Sequence, residues 1–225
     1  HSEICGPFPT HLLRIMSLNL FRYGTLSSDR NWSIFLGDVE NLLHHRIGVW
    51  QTDFRADMVR DLPRRSLASV YRFLYEREAG AQGKSRVFVK ENHLYRFLPY
   101  VLSHFHDCRF VFFVRDPRDM ALTWKKAGTA VGGVRAASKV WRDDQQGSIL
   151  AHGFLQDQGR VLVLKFEDLL ADTETVVRRL CDFLSVRFEP GMLEFHRKDI
   201  VQNNAERLSS WQDLQKPIIK DNYHL

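Results

Sequence analysis

Apolar positions recur at helical spacing through the early part of the chain and then gather into short unbroken runs. Leu12 to Phe21 is amphipathic, and it follows the stiff segment Gly6-Pro7-Phe8-Pro9, with Thr10 placed to cap it. Trp32, Phe35, Val39, Leu42 and Leu43 share one face of a helix expected over about Asp29 to Ile47. Two more helices are expected, over about Asp53 to Leu62 and Pro63 to Ala79, divided where Pro63 lacks an N–H. Gly80-Ala81-Gln82-Gly83 is a loop, Arg86 to Lys90 reads as a short strand, and helical periodicity returns from Leu94 to His104.

Arg109 to Val114 is apolar after its first residue and rich in β-branched and aromatic side chains, the pattern of a strand buried on both faces. Asp116 and Pro117 form a cap and first position for a helix running to about Ala127. A long helical region covers about Gly133 to Gln156, Arg160 to Lys165 is a second buried strand, and Asp172 or Thr173 opens a helix through Val176, Leu180, Phe183 and Leu184. Strands separated by helices predict an α/β fold with a parallel sheet.

Composition narrows the class. The 225 residues, 44% hydrophobic and 26% charged, suit a single domain over 1–225. The longest apolar run, Phe110 to Val114, is far too short for a membrane span. Cys5, Cys108 and Cys181 form no C-x-x-C pair, which fits a reducing, cytoplasmic setting. Of the histidines, the adjacent His44 and His45 and the pair His104 and His106 cannot share a helix face, so no metal is expected. The net charge of +5 is compatible with nucleic acid, an anionic membrane or an anionic small molecule, but Lys and Arg are dispersed and form no dense run, so charge alone decides nothing. No nucleic-acid partner is expected from that distribution, and the oligomeric state is not legible.

In open α/β sheets ligands bind beyond the carboxyl ends of the strands, so those loops carry the candidate chemistry. After Val114 come Arg115-Asp116-Pro117-Arg118-Asp119, with Thr123 on the following helix. A guanidinium fork there matches a phosphate, and a hydroxyl two turns on can face the same ligand. An ordinary strand-to-helix turn with surface salt bridges uses the same residues. After Lys165 come Phe166, Glu167 and Asp168; the acids suit either a solvated helix entry or a direct chemical role. After Val89 come Lys90, Glu91, Asn92 and His93. A histidine there is either a base working near neutral pH or a loop and cap residue.

The segment Phe110-Val111-Phe112-Phe113-Val114-Arg115-Asp116-Pro117-Arg118-Asp119-Met120-Ala121-Leu122-Thr123 resembles the 3′-phosphate-binding motif of PAPS-dependent sulfotransferases, with Thr where that family has Ser. Lys165-Phe166-Glu167-Asp168-Leu169 and the helix ending Cys181-Asp182-Phe183-Leu184 resemble the family's Tyr-Glu-Asp-Leu and Phe-Leu-Gly segments. Trp211-Gln212-Asp213-Leu214-Gln215-Lys216-Pro217 resembles its C-terminal element. The resemblance implies a P-loop-NTPase-like three-layer fold with a central parallel sheet flanked by helices. It implies sulfuryl transfer from PAPS to a hydroxyl or amine on a small-molecule or glycan acceptor. Arg115 and Thr123 would hold the 3′-phosphate, Phe166 would contact the adenine, Lys90 would assist at the sulfuryl group and His93 would be the base. Glu91 is the rival base, and Lys90-Glu91-Asn92-His93 departs by one residue from the family's Lys-x-His spacing. No metal enters this scheme.

The family's loop resembling Pro-Lys/Arg-Ser-Gly-Thr-Thr, whose amides cradle the 5′-phosphosulfate, has no counterpart in the chain. His1-Ser2-Glu3-Ile4 resembles the segment that follows that loop's helix. The expectation is that the first strand and loop lie upstream, the chain being trimmed at its N-terminus. A kinase-like enzyme of the same fold class, or a non-catalytic protein on a degenerate fold, are the alternatives. The helical region Leu12 to Ala79 and the segment Gly128 to Gln156 are expected to line the acceptor pocket.

Overall fold

The computed structural model describes residues 1–46, 50–126, 132–207 and 209–218. Along the chain run β1 (Ile4–Cys5), α1 (Leu12–Ser17), α2 (Asp29–Arg46), α3 (Leu67–Ala81), β2 (Arg86–Val87), α4 (Leu98–His104), β3 (Phe110–Val114), α5 (Pro117–Lys126), α6 (Gly133–Gln156), β4 (Val161–Lys165), α7 (Phe166–Ala171), α8 (Thr173–Leu184) and α9 (Asp199–Arg207). Both strand pairings among the described residues are parallel. Ile4 lies opposite Arg86 in β1–β2, and Phe110 opposite Val161 in β3–β4. The chain divides into two compact units, His1–His104 with Asn203–Ser209, and Phe105–Gln202 with Ser210–Leu225.

In the first unit Trp32, Phe35, Val39 and Leu43 of the expected apolar face of α2 are nearly inaccessible, as is Leu36, while Leu42 is half-buried. Trp32 stacks on Phe35 with ring centroids 5.4 Å apart, and its indole N–H donates to the Arg60 carbonyl at 2.9 Å. Ile47, the expected end of that helix, lies outside the described residues. The third helix begins at Leu67, not Pro63, because Ser66 is extended and its hydroxyl accepts the Ser69 N–H at 3.1 Å.

The helix expected over Asp53 to Leu62 reduces to a single 3₁₀ turn, Ala56–Val59. The reason is competition from α3. Arg77 donates to the Asp53 carbonyl at 2.6 Å, and Glu78 accepts the Gln51 and Thr52 N–H groups at 3.0 Å each. The Asp53 carbonyl is thereby withdrawn from a helical bond, and the chain is pinned just before the segment.

The strand expected over Arg86 to Lys90 keeps only Arg86–Val87, paired with β1, whose two residues are too few to show any periodicity. The N-cap of α1 is His11, not Thr10, which stands one residue earlier; Thr10 is fully buried, its hydroxyl accepts the Leu12 N–H at 3.3 Å and shares a 3.0 Å hydrogen bond with the Tyr75 hydroxyl.

The second unit is built on β3 and β4. Leu162, Leu164 and Val176 form a buried cluster, with Val111, Leu169, Leu180 and Phe183 packed against it. The strand β3 was expected to be buried on both faces, yet Phe113 is 52% exposed. Among the described residues β3 has one strand neighbour, β4, so its free edge leaves Phe113 incompletely covered. The helix α6 matches its expected range, and α8 opens on Asp172, whose carboxylate accepts the Thr175 N–H at 3.1 Å. Ala127, the expected end of α5, and residues 128–131 of the expected acceptor segment lie outside the described residues. No helix among the described residues is long and apolar enough to cross a membrane.

Candidate functional site

Arg115 follows β3 directly, and three neighbours fix it. Its Nε donates to the Asp119 carboxylate at 2.5 Å, and its Nη2 pairs with the same oxygen. Asp119 is fully buried, so the pair sits in a medium where charge attraction is strong and an unpaired charge would be costly. The guanidinium carbon lies 4.3 Å from the centroid of the Phe166 ring, within cation–π range. The Arg115 carbonyl accepts the Trp141 indole N–H at 3.3 Å. Residues from α5, α6 and α7 therefore converge on one arginine.

Thr123 belongs to the same array. Its hydroxyl donates to the Asp119 carbonyl at 3.0 Å. Arg115, Asp119 and Thr123 recur every four residues and so share one face of α5 and its entry. Phe166, the first residue of α7, also meets the Phe113 ring edge-on at 6.0 Å. The structure thus joins Arg115 to Phe166 by direct stacking and to Thr123 through Asp119.

The entry to α5 is capped as expected. The Asp116 carboxylate accepts the Arg118 N–H at 2.8 Å and pairs with its guanidinium at 2.8 Å. Those Arg118 hydrogen bonds, foremost among the causes, hold the Asp116 carboxyl at a pKa of about 2. Glu167 has an unanticipated partner, the Asp116 backbone N–H at 2.8 Å. A helix starts at Phe166 straight after β4, which turns Glu167 inward onto the β3 loop, away from the solvated-loop role. Sequence reasoning also passed over Asp119 and Trp141. Only Asp119 had a visible signal, its four-residue spacing from Arg115.

In the first unit Lys90 is exposed and His93 half-buried in the loop after β2, the His93 ring lying 6.2 Å from that of Tyr95. Glu91, between them, is engaged elsewhere. Its Oε2 is 3.3 Å from Nδ1 of His11, and only 8% of its side chain is exposed. His11, in the loop after β1, was not among the candidates from sequence. A cavity of about 780 Å³ also opens in this unit, beside Glu40, His44, Trp50 and Phe54.

A family model described as "Sulfotransferase family" matches residues 24–190, well over half of the chain. The chain belongs to the sulfotransferase family. Its matched region contains the Arg115 array and the Lys90 to His93 loop. Among solved structures, this sulfotransferase is similar to the sulfotransferase domain from the curacin biosynthetic pathway, with 20% identity and a TM-score of 0.57 over 89% of this chain and 71% of that one. It is also similar to the sulfotransferase domain from the Synechococcus PCC 7002 olefin synthase, with 20% identity and a TM-score of 0.65 over 99% of this chain and 78% of that one. At that identity the likeness establishes the fold, the P-loop-like architecture of sulfotransferases, into which both parallel strand pairs fit. A search of curated protein sequences returns no match.

Proposed function

We propose that this sulfotransferase uses PAPS as its sulfuryl donor and a hydroxyl or amine of a small molecule or glycan as acceptor. The observation that carries the reading is the fixed cation at the end of β3. Arg115 is oriented by buried Asp119 and stacked on Phe166, so its fork is preorganised for an anionic ligand. Arg115 and Thr123 are assigned to the 3′-phosphate, and Phe166 offers the aromatic surface for the adenine. When bound, PAPS supplies the activated sulfuryl group. The three residues hold and orient it.

Lys90 and His93 are assigned to the acceptor side, Lys90 to charge on the sulfuryl oxygens and His93 to the acceptor's proton. Charge stabilisation rests on cationic side chains in this scheme, and no metal is assigned a role. The 780 Å³ cavity lies within the stretch Leu12 to Ala79 that the sequence assigns to the acceptor. We take 1–225 as one sulfotransferase domain, and the cytoplasm as its setting because Cys5, Cys108 and Cys181 are unpaired.

Titration calorimetry with adenosine 3′,5′-bisphosphate tests the donor assignment. Saturable binding that Arg115→Ala abolishes or weakens is expected. An absence of heat at millimolar ligand, or equal binding by the variant, overturns it.

A further inference from the structure

The loops after β1 and β2 share a conformational peculiarity. Among the described residues, the non-glycine positions with positive φ are His11 at 55°, His93 at 56° and Ser185 at 56°. Ser185 terminates α8, where a left-handed residue is ordinary. The two histidines have different surroundings: each stands in a loop beyond the carboxyl end of a short parallel strand, where ligands of such folds bind. A left-handed histidine carries a modest backbone cost, and such costs concentrate at functional sites.

His11 is distinguished by what stands behind it. Its Nδ1 faces Glu91 Oε2 at 3.3 Å, and 17% of its side chain remains exposed. Glu91 Oε1 is buried and has no hydrogen-bond partner. An ionised carboxylate can only accept, so the proton of this contact resides on Nδ1 of the imidazole. In the neutral imidazole that leaves the lone pair on Nε2, on a ring that still reaches the surface.

Among the described residues, Tyr71 and Tyr75 from α3 lie near Glu91, and Thr10, next to His11 in sequence, is bonded to Tyr75. Burial pushes Tyr75 up to about 12 and Tyr71 well above its ordinary value, and the nearby Glu91 charge adds to both. Both phenols are therefore neutral at physiological pH, and the Thr10 hydroxyl is bound to Tyr75. No cation among these three groups competes with His11 for the carboxylate.

We propose that His11, oriented by Glu91, is a second proton-accepting residue of the transfer reaction. The inference rests on the sulfotransferase reading above and deepens it, adding to His93 a residue from the other strand end. The acceptor oxygen forms its bond to sulfur, and the bond from sulfur to the donor's phosphate oxygen breaks with its electron pair leaving on that phosphate. On this route the acceptor proton passes to Nε2 of His11, where the reading above gives it to His93. Glu91 touches no substrate: it is a positioning residue that fixes the tautomer and compensates the imidazolium as it forms.

Two measurements test this. Nitrogen NMR of the imidazoles in the wild-type protein is expected to place the neutral His11 proton on Nδ1. Glu91→Leu removes the acceptor and is expected to return His11 to mostly Nε2–H, whereas Glu91→Gln, which keeps an acceptor oxygen, retains Nδ1–H. Release of labelled sulfate from PAPS, with water as the sulfuryl acceptor, is the second readout. His11→Asn is expected to lower that rate about a hundredfold, within the usual contribution of a general base. A wild-type His11 protonated on Nε2, or a His11→Asn rate equal to wild type, overturns the proposal while leaving the sulfotransferase reading intact. If the wild type neither binds adenosine 3′,5′-bisphosphate nor releases sulfate, the parent reading fails and the inference falls with it.

Discussion

Two buried carboxylates in the first unit are built in opposite ways. Glu78, on α3, is fully buried and accepts from the Gln51 and Thr52 backbone N–H groups at 3.0 Å, the Thr52 hydroxyl at 2.8 Å and the Gln82 side-chain amide at 2.7 Å. Both of its oxygens are fully used. Glu91, in the loop after β2, has one oxygen near His11 and the other buried without a partner. Buried charge that is completely solvated by fixed donors holds structure together. Buried charge left half-satisfied is a liability for stability, and it leaves the field of the carboxylate directed at its neighbour. The first pattern marks a structural clamp and the second a group that acts through another residue.

The contrast is broken most forcefully at Glu78. Glu78→Gln keeps the shape but replaces an accepting oxygen with an NH₂ that must face donors, leaving N–H groups unpaired. The expected loss is about 3 kcal/mol of unfolding free energy, the scale for a buried charge stripped of its hydrogen bonds. Urea unfolding measures it, and a loss below about 0.5 kcal/mol would show that the clamp holds nothing.

Arg115 extends the comparison to the second unit, where the buried acid Asp119 is used to orient a cation. Arg115→Lys keeps the charge but loses the bidentate fork. Affinity for adenosine 3′,5′-bisphosphate is expected to fall about thirtyfold, equivalent to about 2 kcal/mol, in the range of a charge-assisted hydrogen bond. Calorimetry on wild type and variant decides it. Equal affinities would mean that Asp119 and Arg115 form a purely structural pair.

These carboxylates also show what the chain discloses in advance. The periodicity of α2 and α6 and the runs of β3 and β4 were legible because long elements repeat their pattern. Arg115 and Thr123 stood out as a strand-end guanidinium and a hydroxyl two turns on, Phe166 stood out through the family resemblance, and the structure joins them. The two-residue β1 was invisible, and with it the loop that brings His11 against Glu91, a contact spanning 80 positions. Asp53 to Leu62 has helix-compatible residues, yet Arg77 claims the Asp53 carbonyl and Glu78 pins Gln51 and Thr52 just before it. Periodicity reports only local preference, and tertiary hydrogen bonds of this kind override it. Glu167 does stand in the first turn of α7, but its partner, an amide 51 residues away, was hidden for the same reason.

Glu91→Gln sharpens the comparison from the opposite side. Its charge is buried and only partly compensated, so neutralising it removes a desolvation cost along with an attraction. The expected change in unfolding free energy is within about 1 kcal/mol of zero, well below that at Glu78. Side-by-side urea unfolding of the two Glu→Gln variants gives the answer. Comparable losses at both positions would erase the distinction between clamp and positioning group.

Asp116 supplies the limiting case, a half-buried acid whose partner, Arg118, is exposed to solvent. Arg118 holds its carboxyl at about 2, below the ordinary value of 3.8. A folded-state pKa below the unfolded one means that the unfolded chain binds the proton more readily. The resulting stabilisation is present above about pH 4 and is lost as pH falls through the folded value near 2. Asn retains the capping oxygen at the start of α5, so Asp116→Asn removes the charge while keeping the cap. The variant is expected to be slightly less stable than wild type at neutral pH, with the gap closing between pH 4 and pH 2 and shrinking in high salt. Unfolding curves across that window test the sign. A gap that stays constant through the titration, or widens toward acid, would mean that the Arg118 contact contributes nothing through charge, and that solvent exposure has removed the effect burial preserves at Glu78.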